Sequence, residues 1–131
     1  KIKLGALSPT RDFNFVADTC AAFLELAGCD AALGHVVNAA SNFEISIGDT
    51  AALIAKVMNA DVEITTDEQR MRPAGSEVNR LFGDNSRLCQ LTGWQPTYGG
   101  MEGFQRGLAI TAEWFSDPLN LARYRPGSYA V

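Results

Sequence analysis

Histidine is nearly missing from this 131-residue chain: His35 stands alone, and the three cysteines, Cys20, Cys29 and Cys89, share no C-x-x-C spacing. A structural zinc site takes about four such ligands at defined spacing, so no metal site is expected. A Cys–His nucleophile is not expected either, because no histidine stands at a motif spacing to activate a thiol. The three thiols read as reduced, in a reducing cytosol. Basic runs are also absent. Lys and Arg total 11 against 15 Asp and Glu, for a net charge of −4, with the signs interspersed. A general nucleic-acid binder would carry a basic stripe, and an electrostatic membrane patch would need a basic cluster. No apolar run approaches the ~20 residues that span a bilayer, and no secretory signal is recognisable at Lys1. A cytoplasmic location is the expectation. Two nucleotide motifs are missing as well. There is no G-x-G-x-x-G after a strand and no Walker A sequence.

What is present is enough apolar material for a core, 47% of residues, arranged in alternating patterns. Ile2 to Leu4 reads as a short strand, ended by Gly5 and Ser8-Pro9. "RDFNFV", residues 11–16, alternates as a second strand. Asp18 or Thr19 then caps a helix whose face is Ala22, Phe23, Leu26 and Ala27, with Gly28 as C-cap. Val36-Val37, between Gly34 and Ser41-Asn42, suits a buried strand running to Asn38. Ser46 with Asp49 three residues on is a variant capping box. It opens a helix over 45–59 with Leu53, Ile54, Val57 and Met58 on one face.

"DVEIT", 61–65, alternates as a strand. The polar stretch 66–77 reads as a loop, and "VNRLFGD" as a short strand. Asn85 or Ser86 caps a helix with Leu88 and Leu91 inward. The last helix, over 100–117, carries Phe104, Leu108, Thr111, Ala112 and Phe115 on one side. Gly100, Gly103 and Gly107 weaken its start by up to ~1 kcal/mol each relative to alanine. Gly99 and Gly100 are not expected to cradle a phosphate, since no strand precedes them. Strands alternating with about four helices predict an α/β fold.

Five stretches in register carry a family likeness: "RDFNFVADT", "HVVNAASNFEISIGD", "RPAGSEVNRLFGDNSRL", "TGWQPTYGGMEGFQRGLAITAEWF" and "YRPGSYAV". Together they resemble the C-terminal part of the extended short-chain dehydrogenases/reductases, the NAD(P)-dependent sugar-nucleotide epimerases and dehydratases. Within that family the likeness is greatest to nucleotide-sugar 4,6-dehydratases of the UDP-N-acetylglucosamine type. The resemblance covers almost the whole chain and implies a partial Rossmann-like fold. Residues 1–131 would form one substrate-binding C-terminal segment, as a fragment or a truncated product.

The family's NAD-binding half and its Tyr-x-x-x-Lys pair are not here, since Tyr98, Tyr124 and Tyr129 have no lysine four residues on. No catalytic or cofactor-binding residue is therefore expected in this chain. NAD(P) is expected in the complete enzyme, where the cofactor carries the hard chemistry.

The resemblance also implies roles. Arg11 and Arg72 would reach the diphosphate of a UDP-type sugar nucleotide, with Arg70 as the alternative to Arg72. A guanidinium suits this because its planar fork of donors matches phosphate oxygens and stays charged. Glu77, with Ser76 as its rival, would hold the ribose hydroxyls, since a carboxylate accepts from two neighbours at once. Asp18 and Ser46 read as caps. Expected partners are the sugar nucleotide, the NAD-binding half and a second copy, because a piece of a larger fold exposes apolar faces that associate. The alternative reading is a non-enzymatic small α/β module that keeps the scaffold and binds a nucleotide or protein without turnover.

Overall fold

The computed structural model describes residues 1–73, 75–76 and 78–123. Glu77, and the tail stretch "YRPGSYAV" at 124–131, lie outside the described residues. Among the described residues, five short strands are interspersed with five α-helices. In chain order they are β1 (Ile2–Leu4), β2 (Thr10–Asp12), α1 (Val16–Ala27), β3 (Glu44–Ser46), α2 (Ile47–Val57), β4 (Ile64–Thr66), β5 (Arg80–Leu81), α3 (Ser86–Thr92), α4 (Gly100–Ser116) and α5 (Pro118–Leu121). Single 3-10 turns lie at Asp30–Ala32 and Glu68–Arg70. The strands form two small sheets. β1 pairs with β4 in parallel. In the other sheet β2 is central, antiparallel to β3 and parallel to β5. The predicted α/β class is the observed one.

Several boundaries differ from the sequence reading, each for a packing reason. β2 ends at Asp12 and does not run to Val16. Beyond it the rings leave the sheet direction: Phe13 stacks 5.7 Å from Phe104, and Phe15 lies 4.2 Å from Tyr98. α1 consequently begins at Val16, so Asp18 sits inside its first turn and is no cap; the N-cap is Phe15, with no side-chain cap bond. Residues 36–38 form no strand, and the strand of that region is β3 instead. Ile45 belongs to β3 and is buried there, which starts α2 two residues later, at Ile47.

Other expectations hold. Ser46 caps α2, its Oγ accepting from the Asp49 amide at 3.0 Å and meeting the Asp49 carboxylate at 2.6 Å. Asn85 is the N-cap of α3, but its side chain makes no cap bond. It donates instead to the Ala40 carbonyl at 2.9 Å, and Asp84 Oδ1 takes the Ser86 amide. Gly93 ends α3 at φ +75°, the left-handed C-cap that glycine adopts without a Cβ penalty. α5 follows α4 directly, with Asp117 accepting from the Leu119 amide and Pro118 at its first position.

The core is small. Ala22 of α1, Leu88 of α3 and Trp94 pack together, with Leu26, Val37 and Cys89 around them. A second group joins Phe13, just after β2, and Phe43, just before β3, to Phe104 of α4. The close approach of α4 depends on Gly103. A Cβ there would stand 2.4 Å from the carbonyl carbon of Tyr98. The helix-weakening glycine of the sequence is thus a packing requirement.

Candidate functional site

The charged pair Arg11-Asp12 lies on the central strand, and alternation along a strand sends neighbouring side chains to opposite faces. Asp12 turns to the 41–42 turn. Its Oδ1 accepts from the Ser41 amide at 3.0 Å and the Ser41 hydroxyl at 2.6 Å. Its Oδ2 accepts from the amides of Asn42, at 3.1 Å, and Gly83, at 3.3 Å. A carboxylate with four donors is a latch between β2 and two distant turns. Arg11 turns the other way. Its Nη1 donates to the carbonyls of Thr10 at 2.8 Å and Val78 at 2.7 Å. The pair is half-buried and engaged with backbone, which a solvated strand end would not be.

Val78 directly follows the stretch 66–77, the polar loop of the sequence reading. Both ends of this loop are tied down. Asp67 donates its amide to Leu4 at 2.7 Å, and Asn79 accepts from the Thr10 amide at 2.9 Å. The first turn is fixed by Asp67, which accepts from the Gln69 amide and pairs with Lys3 at 3.9 Å and Arg70 at 3.8 Å. Arg70 therefore leans back on its own turn. Arg72 stands two residues on and is exposed. The Ser76 amide and hydroxyl both donate to Pro73, at 2.8 and 3.0 Å, so that hydroxyl is spent on the turn. The structure thus brings the Arg11 guanidinium to the base of the loop that carries Arg72. Glu77 lies outside the described residues.

Beside Arg11 the same sheet carries a cross-strand ion pair. Arg80 of β5 grips both oxygens of Glu44 on β3, at 2.6 to 3.0 Å, and Thr10 of β2 donates to Glu44 at 2.8 Å. The hydrogen bonds from Arg80, and next that from Thr10, hold the Glu44 carboxyl below the ordinary glutamate range. Hydrogen bonding to Glu44 in turn raises Arg80. The Arg80 guanidinium also lies 5.1 Å from the Phe82 ring centre.

Two hollows flank Phe13-Asn14-Phe15. One, about 460 Å³, is bordered by Asp12, Asn14, Asn38, Phe82 and Gly83. The other, about 250 Å³, is mainly apolar and lies between α2 and α4, against Phe13, Phe15, Ile54, Tyr98 and Phe104. Asn14 borders both. Its Nδ2 donates to Thr19 Oγ1 at 2.8 Å and to the Ala39 carbonyl at 3.3 Å, while its buried Oδ1 has no partner among the described residues. Neither hollow is lined by Arg11 or Arg72.

Asp18, read as a cap, is a buried latch. Its two oxygens accept from the Thr97 and Tyr98 amides, both at 2.9 Å, fastening α1 to the connector before α4. No sequence signal separates this role from capping, because both place an aspartate at a helix start. Among the described residues no cluster of metal-ligating side chains occurs. The cysteines are free; Cys29 donates to the Leu91 carbonyl at 3.3 Å.

The helix starts do not fit a dinucleotide. Its pyrophosphate rests on a glycine-rich turn between a strand and a helix. α1 follows β2 through Phe13-Asn14-Phe15, α2 follows β3 at Ser46 with no turn between, and the Gly99-Gly100 start of α4 has no strand before it. These helix starts therefore lack the turn on which an NAD(P) pyrophosphate rests.

Comparison with known proteins matches this arrangement to one family. The profile described as GDP-mannose 4,6 dehydratase matches residues 1–107. The GDP-6-deoxy-D-mannose reductase of Pseudomonas aeruginosa is 33% identical over 116 residues, 88% of this chain and 36% of its own. The UDP-glucose 4-epimerase of Mycolicibacterium smegmatis is 33% identical over 109 residues, 82% of this chain and 32% of its own. The structure of RMD from Pseudomonas aeruginosa, complexed with NADPH, superposes with a TM-score of 0.71 at 32% identity. The match covers 88% of this chain and 36% of that one. The chain spans about a third of the length of these relatives.

Proposed function

Because the chain belongs to the GDP-mannose 4,6 dehydratase family of extended short-chain dehydrogenases/reductases, we propose that it is the sugar-nucleotide-binding part of an NAD(P)-dependent nucleotide-sugar dehydratase or epimerase. Arg11 and Arg72 take the diphosphate, and Glu77 takes the ribose hydroxyls. The observation that carries this reading is the 2.7 Å bond from Arg11 to the Val78 carbonyl, which seats one guanidinium on the loop that bears the other. A diphosphate is met by converging guanidinium forks, each making charge-assisted bonds about twice as strong as neutral ones. The described hollows are bordered by neither arginine. The diphosphate pocket is therefore completed by the dinucleotide-binding part, which also supplies the hydride carrier and the proton-moving tyrosine. This chain's own residues bind and orient; they carry no chemical step.

Calorimetric titration of the chain with a UDP-sugar and a GDP-sugar tests this. Weak binding is expected, because the pocket is incomplete. Arg72→Ala is expected to weaken it about tenfold or more, since a hydrogen bond to a charged group contributes about 1.5–3 kcal/mol. Arg72→Lys keeps the charge without the fork and should recover only part of the loss. Equal affinity of wild type and Arg72→Ala removes Arg72 from the site and leaves the diphosphate reading without support.

A further inference from the structure

β1 ends at Gly5, which reads from the sequence as a strand stop and does more in the fold. A Cβ on Gly5 would stand 2.5 Å from the Arg70 carbonyl oxygen and 3.2 Å from its carbon. An ordinary contact of a Cβ begins at 3.4 Å, and the atoms met here are backbone, which cannot turn aside as a flexible side chain does. Glycine at such a place marks the close approach of another backbone. That backbone is the 3-10 turn Glu68–Arg70, at the root of the stretch that carries Arg72.

The turn is held in that place by bonds of its own. The β1–β4 ladder runs one residue beyond Thr66, where the Asp67 amide donates to the Leu4 carbonyl at 2.7 Å. The Asp67 carboxylate then accepts from the Gln69 amide at 3.1 Å. The Arg70 amide donates to the Asp67 carbonyl at 3.0 Å, and the Met71 amide to the Glu68 carbonyl at 3.1 Å. Met71 is the last residue the turn holds, and Arg72 is the next. One residue spans at most about 3.3–3.6 Å, so the Arg72 backbone goes where the turn goes. The far end of the stretch is held on β2, where Arg11 and the Thr10 amide donate to the Val78 and Asn79 carbonyls. β1 therefore fixes the Arg72 end and β2 the other.

We infer that Gly5 is a positioning residue of the diphosphate site: by admitting the Arg70 carbonyl, it lets the 68–70 turn set where Arg72 stands relative to Arg11. The inference rests on the reading of Arg72 as a diphosphate ligand. A methyl at position 5 would drive the Arg70 carbonyl back by about 1 Å. Charge-assisted N–H···O bonds occupy only about 2.7–2.9 Å, so a shift of that size at the root takes the Arg72 fork out of register. The long side chain follows in part. The loss is therefore smaller than the loss from removing the fork.

A double-mutant cycle of Gly5→Ala with Arg72→Ala tests it, read by nuclear magnetic resonance titration of the 131-residue chain with UDP-glucose and with GDP-mannose. In Gly5→Ala the amide signals of Gln69 to Arg72 should move while those of α3 stay. The dissociation constant should rise about threefold or more in the otherwise wild-type chain, and by less than about 1.5-fold where Arg72 is already alanine, because changes that act through one contact do not add. Asp67→Ala loosens the same turn from the other side. It should give the same pattern, and it carries the test if Gly5→Ala does not fold. An equal rise in both backgrounds makes Gly5 merely structural and overturns the proposal. So do unmoved amide signals at 69–72, or a Gly5→Ala chain that binds like wild type while Arg72→Ala does not. If Arg72→Ala itself binds like wild type, or neither binds, the diphosphate reading falls and this role falls with it.

Discussion

Removing the Asp18 carboxylate should destabilise the chain more than any capping change. Asp18 is 3% exposed, and both its oxygens hold backbone amides 79 and 80 residues away. In Asp18→Ala both amides lose a charged acceptor, at about 1.5–3 kcal/mol for each such bond. Thr97 is exposed enough for water to compensate in part. An overall cost of about 3–5 kcal/mol follows, against roughly 7–20 kcal/mol for the whole stability of a domain this size. Asp18→Asn keeps the volume and one acceptor oxygen and should cost about 2 kcal/mol. Ser46→Ala removes a true N-cap and should cost about 1 kcal/mol. Urea unfolding at low micromolar chain concentration, with equal slopes for all four proteins, gives the comparison. The order Asp18→Ala, Asp18→Asn, Ser46→Ala is the claim. If Asp18→Ala costs no more than Ser46→Ala, the carboxylate acts only as a charge near a helix start, worth about 0.3–1 kcal/mol, and the latch reasoning fails.

Two further outcomes follow from the packing and the ion pair. Gly103→Ala should destabilise by about 1–3 kcal/mol despite the better helix propensity of alanine, because the new methyl meets Tyr98 backbone and not a flexible side chain; a neutral or stabilising result in urea unfolding would show that α4 can retreat. Glu44 titrates below its ordinary value of 4.5 in the folded chain. Its contribution is therefore present above that value and is lost as pH falls through the depressed one. Wild type should lose stability on acidification more steeply than Glu44→Gln in that window, and parallel curves for the two would refute the role of the Arg80 pair.

The alternating α/β order, the Ser46 cap, the inward Leu88 and the short strand before α3 were legible because each depends on residues within one or two turns of chain. What was not legible depends on distant partners. Asp18 and Asp12 look like ordinary polar residues at a helix start and a strand end until the Thr97, Tyr98, Ser41 and Gly83 amides arrive from elsewhere in the chain. Phe13 and Phe15 alternate as a strand would, but rings from α4 and its connector compete for them and end β2 early. Gly103 reads as a weak helix position because its benefit lies in the backbone across from it.

The strand predicted at 36–38, which does not form, is the informative case. Val37 is turned in and Val36 out, as alternation predicts, but alternation alone makes no strand, and no described segment pairs with these residues. Arg11 and Arg72 belong to the same class of residue. Their types and positions could be read from the sequence, but a binding site is a convergence of groups. The 460 and 250 Å³ hollows of this chain are closed by other residues. One physical cause accounts for both: a ladder and a pocket each need groups from several segments, and the described residues do not bring those groups to 36–38 or to a hollow shared by Arg11 and Arg72.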